Sequence, residues 1–307
     1  MKSLDSSPVG RLLAAAALVA AGACGTHTAW CQAAVRDMSV ETSPGVRLHL
    51  QVAGSANSKP ALILIPGWRL TASIWQEQLL KFSTERQVMA LDPRSQGDST
   101  VTAEGDTPEQ RAKDINAVLH KLQVGRSVLV GWSQGVQDVA AYIDQFGTQS
   151  LAGVVLVDST VSRGANAIVE APQFAARQLG LFSLYATDPE EYTRGMMRAI
   201  IKRPLSGAEL GLLVSGALKT PTAIGEAMLV ADLFGVDRTS VLAKIDRPTL
   251  VIASALSQEL EAQKKMAGGI PGSRFEVIQD AGHAVFVDQP ERFDGLVTDF
   301  LAGLARG

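Results

Sequence analysis

Short apolar runs alternate with longer amphipathic ones along most of the chain. Ala61-Leu62-Ile63-Leu64-Ile65 contains no polar residue, and Gln87 to Leu91, Ser127 to Val130 and Leu151 to Val157 are nearly as apolar. A run without polar alternation predicts a strand covered on both faces, as in a parallel sheet. Upstream, Ser39 to Glu41 and Val46 to Val52 alternate on either side of Pro44-Gly45 and predict two strands joined by a turn. Helical spacing fills the gaps: Ile74, Leu79 and Phe82 in one, Ile115, Val118, Leu119 and Leu122 in the next, then Val136 to Phe146. Thr249 to Ala253 and Arg274 to Ile278 are two late strands, and Pro290 to Leu304 is a closing helix. Strands alternating with helices read as βαβ units, so the predicted class is α/β with a mostly parallel central sheet flanked by helices.

Residues 161–239 break this rhythm. Pro172 to Leu179, Pro189 to Ile201, Ser206 to Leu218 and Ala223 to Phe234 have helical patterns, and no strand is evident among them. A block of helices inserted after a strand end, where loops build sites, predicts a helical cap over a cleft. The core then comprises residues 35–160 and 240–307. The first 34 residues read differently. Lys2 and Arg11 precede an apolar run from Leu12 to Ala23, which has the length of a signal-peptide core and is short for a membrane span. Ala21 and Ala23 form an A-x-A pattern, so export to the periplasm or medium is expected. Ala21-Gly22-Ala23-Cys24 also resembles a bacterial lipobox, with Ala21 where a large aliphatic residue is usual, which leaves a lipid anchor at Cys24 as a second outcome.

Composition narrows the classes. With 307 residues, 46% hydrophobic and 19% charged, the chain can bury a large core and is not a disordered type. The net charge of -3 and the lack of a basic cluster interleaved with aromatics argue against nucleic acid as a partner. Cys24 and Cys31 are the only cysteines, and both precede the predicted domain, so no core disulfide or thiol nucleophile is expected. No metal-ligand spacing or dinucleotide-binding loop is present, and no cofactor or metal is expected.

The chemistry centres on Gly131-Trp132-Ser133-Gln134-Gly135, which fits G-x-S-x-G between a predicted strand and a predicted helix. That context puts Ser133 on a tight strand-to-helix turn with its hydroxyl above the sheet. A serine hydroxyl is a weak nucleophile and needs a base. Of the four histidines, His27 lies in the export segment, His49 in an early strand and His120 near a helix end. His283 alone comes late, beyond the last strand.

These residues, with Pro66-Gly67-Trp68 after a strand and Asp92-Pro93-Arg94-Ser95-Gln96-Gly97-Asp98-Ser99 in place of D-x-R-G-x-G-x-S, resemble the α/β-hydrolase superfamily over roughly residues 40–305, in its capped, serine esterase-like branch. The resemblance implies the α/β-hydrolase fold, Ser133 as nucleophile and His283 as base. It also implies an oxyanion hole from the backbone N–H groups of Trp68 and Gln134, although Pro66-Gly67 replaces the usual His-Gly. Trp68 and Trp132 are expected to line the substrate pocket, with core packing as the alternative for Trp68. The acid is less direct. In many relatives it follows a strand matching Pro248-Thr249-Leu250, but Ser257 occupies that position here. Two carboxylates remain: Asp158, one strand earlier, as some branches have it, and Glu259 as the alternative. The implied reaction is hydrolysis of a small-molecule ester with an apolar acyl or aryl group. Cofactor-independent dioxygenases and perhydrolases share the framework, and a non-catalytic binding protein with a vestigial site would keep the shell without the chemistry.

Overall fold

The computed structural model describes residues 34–304; the expected export segment, including Cys24, lies outside the described residues except for its last position. The N-terminal hairpin is β1 (Arg36–Ser43) and β2 (Val46–Ala53), turning through Gly45 at φ +75°. Next come β3 (Ala61–Ile65), α1 (Gln76–Ser83), β4 (Val88–Leu91), α2 (Pro108–Lys121), β5 (Ser127–Trp132), α3 (Gln134–Phe146) and β6 (Leu151–Val157). Five helices follow: α4 (Asn166–Glu170), α5 (Pro172–Thr187), α6 (Pro189–Ile200), α7 (Gly207–Ala217) and α8 (Thr222–Phe234). The chain then returns through β7 (Thr249–Ser254), α9 (Leu260–Gly268), β8 (Arg274–Ile278), α10 (Val285–Asp288) and α11 (Pro290–Leu304).

The strands form one sheet in the order β1-β2-β4-β3-β5-β6-β7-β8. β1 and β2, and β2 and β4, pair antiparallel; all other neighbours are parallel. The unbroken apolar strands follow from the period of two. Leu62 and Leu64 of β3 face one side with Leu79, Phe293 and Leu296. Ile63 and Ile65 face the other with Ile115, Val139 and Met266. Each face needs its own apolar set because helices cover both.

The helices between β6 and β7 are tied to the core by specific bonds. Trp68 Nε1 donates to the Gly225 carbonyl at 2.8 Å, and Thr220 Oγ1 to that of Ser95 at 2.8 Å. The fully buried Arg111 of α2 donates to Asp138 of α3 at 2.8 Å and to Asp232 of α8 at 2.5 Å. Its two carboxylate partners offset the desolvation of the guanidinium.

Two elements depart from the sequence expectation. α5 continues past Leu179 to Thr187, because burial of Phe182 and Tyr185 outweighs the helix penalty of Gly180, about 1 kcal/mol. α9 lies between the two late strands, where the sequence pattern predicts no element; its buried side is Gln263, Met266 and Ala267. Among the described residues no helix is long and apolar enough to cross a membrane.

Candidate active site

Ser133 joins β5 to α3 with φ 55° and ψ -117°, a backbone conformation that costs a non-glycine residue roughly 1–3 kcal/mol. Its neighbours make the turn feasible. A Cβ on Gly131 would lie 2.3 Å from the Gly135 carbonyl oxygen, and one on Gly135 would lie 2.6 Å from that of Ile65. Only glycine fits at either position, so the G-x-S-x-G spacing is a packing requirement of the turn. The Ser133 N–H donates to the Val157 carbonyl at 3.1 Å, fixing the elbow to the end of β6.

His283 follows β8. Its Nδ1 lies 2.7 Å from Asp158 Oδ2, and Asp158 sits directly after β6 with φ 45°. An ionised carboxylate only accepts, so Nδ1 carries the proton and Nε2 presents its lone pair. The side chain of Asp158 is 1% exposed and that of His283 31%, so the carboxylate is screened from solvent while the imidazole can meet a substrate. The second oxygen of Asp158 is held as well. Oδ1 accepts from the Ser254 N–H at 2.8 Å and from Gln263 Nε2 at 3.1 Å.

Trp132 links the Ser133 turn to the histidine. Its Nε1 donates to the His283 carbonyl at 3.0 Å, and the two rings have centroids 5.2 Å apart. Among the described residues Ser133 Oγ and His283 make no hydrogen bond to each other. In sites without substrate such bonds are often long and tighten on binding. Glu259 does not bond to His283 either; burial pushes its carboxyl above the usual range. Ser257 accepts from Gln263 Nε2 at 2.9 Å, so the residue at the usual acid position supports the side chain that holds Asp158.

The backbone N–H groups of Trp68 and Gln134 take part in no hydrogen bond among the described residues. Gln134 is the first residue of α3, whose N–H has no partner within the helix. The Trp68 loop runs close to the elbow: a Cβ on Gly67 would sit 3.1 Å from that of Ser133. The loop is held from behind by the segment after β4. Asp92 accepts from the Ala72 N–H at 2.6 Å and the Asp98 N–H at 2.8 Å, and Gln96 Oε1 accepts from the Arg69 N–H. Sequence reasoning noted this segment as a landmark but gave it no task, and Ser254 and Gln263 were not singled out. The spacing of Leu260, Gln263 and Met266-Ala267 is the signal that would have placed Gln263 on an inward helical face.

A cleft of about 1040 Å³ opens beside the imidazole, lined by Asp158, His283, Glu259, Phe174, Arg177 and Arg198 among others. Neither tryptophan expected in the substrate pocket lines it. Trp132 is 1% exposed and packs edge-on against Trp75 and Phe286. Trp68 is buried with Tyr185 and Met228 and spends its indole N–H on Gly225. For Trp68 the packing alternative is the one observed. For Trp132 the pocket assignment is corrected: the strand direction turns its ring into the core behind His283.

Residues 62–295 match the family model described as the alpha/beta hydrolase family. The chain belongs to that family. It is 32% identical over 121 residues to a bifunctional esterase/perhydrolase of Acinetobacter calcoaceticus, a match spanning 39% of this chain and 44% of that enzyme. It is 24% identical over 276 residues to 3-oxoadipate enol-lactonase 1 of Acinetobacter baylyi, covering 88% of this chain and 98% of the relative. Among solved structures, an esterase from a Rhodococcus species aligns with a TM-score of 0.72 at 25% identity, over 88% of this α/β hydrolase and 99% of the other chain.

Proposed function

We propose that this α/β hydrolase is a serine hydrolase of carboxylic esters, acting through an acyl-enzyme, with Ser133 as nucleophile, His283 as base and Asp158 as the acid that orients it. The observation that carries the reading is the 2.7 Å bond between His283 and a solvent-screened Asp158, set beside a serine held on a strained elbow. His283 Nε2 takes the hydroxyl proton as Ser133 Oγ attacks the ester carbonyl, and returns it to the leaving alcohol. Water then enters on the same base and releases the acid. The unpaired N–H groups of Trp68 and Gln134 bind the oxygen on which charge develops, an effect worth about 3–4 kcal/mol per donor in such sites. The substrate is a small ester with an apolar acyl or aryl part, met outside the cytoplasm because the leader directs export. Whether Cys24 carries a lipid is a separate outcome of that export.

A fluorophosphonate probe tests the reading. The expected result is stoichiometric labelling of the folded protein and none of Ser133→Ala; an unlabelled wild type, beside a labelled control hydrolase, would overturn it. The likeness to an esterase/perhydrolase supports one second reading, in which hydrogen peroxide replaces water in deacylation. It predicts peracid formation from an ester when peroxide is added.

A further inference from the structure

A second cavity, of about 460 Å³, lies behind the cleft, between the segment after β6, the helices α4 and α8, and α9. Phe174 and Glu259 border both spaces, so they form a waist between the imidazole side and this inner volume. The size falls within the range of small-molecule pockets. Its chemistry follows from which lining groups are already engaged. Gln137 gives its Nε2 to the Thr160 carbonyl at 2.6 Å and takes the Ser162 N–H at 2.9 Å. Ser162 Oγ donates to the Leu233 carbonyl at 3.1 Å, and Asp232 is held by Arg111 at 2.5 Å. Arg163 pairs with Glu170 at 2.7 Å, and Thr239 Oγ1 bonds Asp237 at 2.7 Å. With these groups engaged, the wall available to a ligand is largely carbon, from Val161, Ala167, Phe174, Leu233, Leu242 and Met266. Along α9, Ala262, Lys265 and Gly269 line the cavity and are exposed, so the volume reaches solvent on that side.

We propose that this cavity takes the unbranched hydrocarbon chain of the substrate, threaded past Phe174 and Glu259, so that the preferred esters are medium-chain rather than acetyl-sized. This rests on the ester-hydrolase reading above. A wall of these carbon groups rewards methylene groups, and with Gln137, Ser162, Arg163, Asp232 and Thr239 already engaged it offers a polar chain little in exchange for its water, Lys265 standing at the exposed edge. The exposed side along α9 accommodates chains of different length.

The test measures kcat/KM along two series, p-nitrophenyl acyl esters and alkyl acetates, which separate the acyl from the alkoxy chain as occupant. Wild type should gain about fourfold per methylene that enters, in at least one series, between acetate-sized and octanoate-sized substrates. Ala262→Trp, at an exposed helical position where folding is tolerant, should cut the long-to-short ratio in that series at least about tenfold. A wild type that prefers the shortest ester in both series overturns the proposal without any variant, as does an unchanged ratio in Ala262→Trp. Hydrolysis of no ester, with Ser133 unlabelled by fluorophosphonate, would overturn the ester reading and this proposal with it, whereas labelling with a flat chain-length profile overturns only this one.

Discussion

Replacing Asp158 with asparagine isolates the charge and proton preference of the acid from its shape. The carboxylate is engaged at both oxygens: Oδ2 with His283 Nδ1 at 2.7 Å, Oδ1 with the Ser254 N–H at 2.8 Å and Gln263 Nε2 at 3.1 Å. An asparagine in the same pose keeps its carbonyl oxygen on Ser254 and Gln263, since both are donors. Its NH₂ then faces the imidazole, so Nδ1 must accept. The ring proton moves to Nε2, and the nitrogen that should take the Ser133 proton no longer has a lone pair. The variant also loses the negative charge that stabilises imidazolium in the transition state. Together these effects should lower kcat about a thousand- to ten-thousand-fold, about 4–5.5 kcal/mol, with little change in KM. The two retained donors should keep the fold, seen as an unchanged circular-dichroism spectrum and a Tm within a few degrees. The assay is release of p-nitrophenolate from a short ester, normalised to purified folded protein. A loss of less than tenfold in Asp158→Asn, combined with a large loss in Glu259→Gln, would refute the assignment of the acid.

Two further substitutions test the scaffold. Gly131→Ala places a methyl group 2.3 Å from the Gly135 carbonyl, and because the obstruction is backbone, we expect a loss of about 3 kcal/mol or more in urea unfolding together with loss of activity; an active variant of native stability would contradict the close approach. Asp294 of α11 is pushed up from 3.8 to about 6, chiefly by burial, against the opposing effect of its bond from Gln78 Nε2. Between those values the folded state keeps a proton that the unfolded chain has lost, so this group makes stability fall as pH rises, with the full penalty above about 6. Asp294→Asn should therefore raise Tm near neutrality more than at pH 3.8, and an equal shift at both would count against the perturbed carboxyl.

Much of the fold was legible because the apolar runs are strong signals. β3 has no polar residue, and its two faces feed two separate cores, which the pattern can show without a structure. The elbow was legible because its motif is local: Gly131 is fixed by the carbonyl of the nearby Gly135, although Gly135 itself is fixed by Ile65 on a neighbouring strand. Less legible was anything set by long-range polar contacts. Arg111 joins α2, α3 and α8, yet in sequence it is one arginine on an amphipathic helix. Trp132 is expected in the pocket but packs against Trp75 and Phe286. Alternation along β5 places its ring in the core, and that reading was available had the period of two been carried to the strand's last position.

The position of the proposed acid also has a physical basis in the sheet. β6 and β7 are adjacent and parallel, with Val157 opposite Ile252, so their C-terminal ends lie side by side. A carboxylate reaching a histidine after β8 can therefore start from either strand end without changing the sheet. What must change is its support. The Asp158 N–H continues the ladder by donating to the Ile252 carbonyl at 2.8 Å, while the positive φ of 45° turns the side chain out of the strand. The end of β7 and the helix after it then supply the donors a buried carboxylate requires: the Ser254 N–H from β7, and from α9 Gln263 Nε2, shared with Ser257 Oγ. Ser257 is thus part of the arrangement that makes Asp158 workable. Restoring a carboxylate there alone, as in Ser257→Asp, would place a second negative charge beside the first, next to a Gln263 amide already in use. We expect that substitution to slow the enzyme even though it recreates the more usual sequence, because two acids competing for one imidazole raise each other's cost of ionisation.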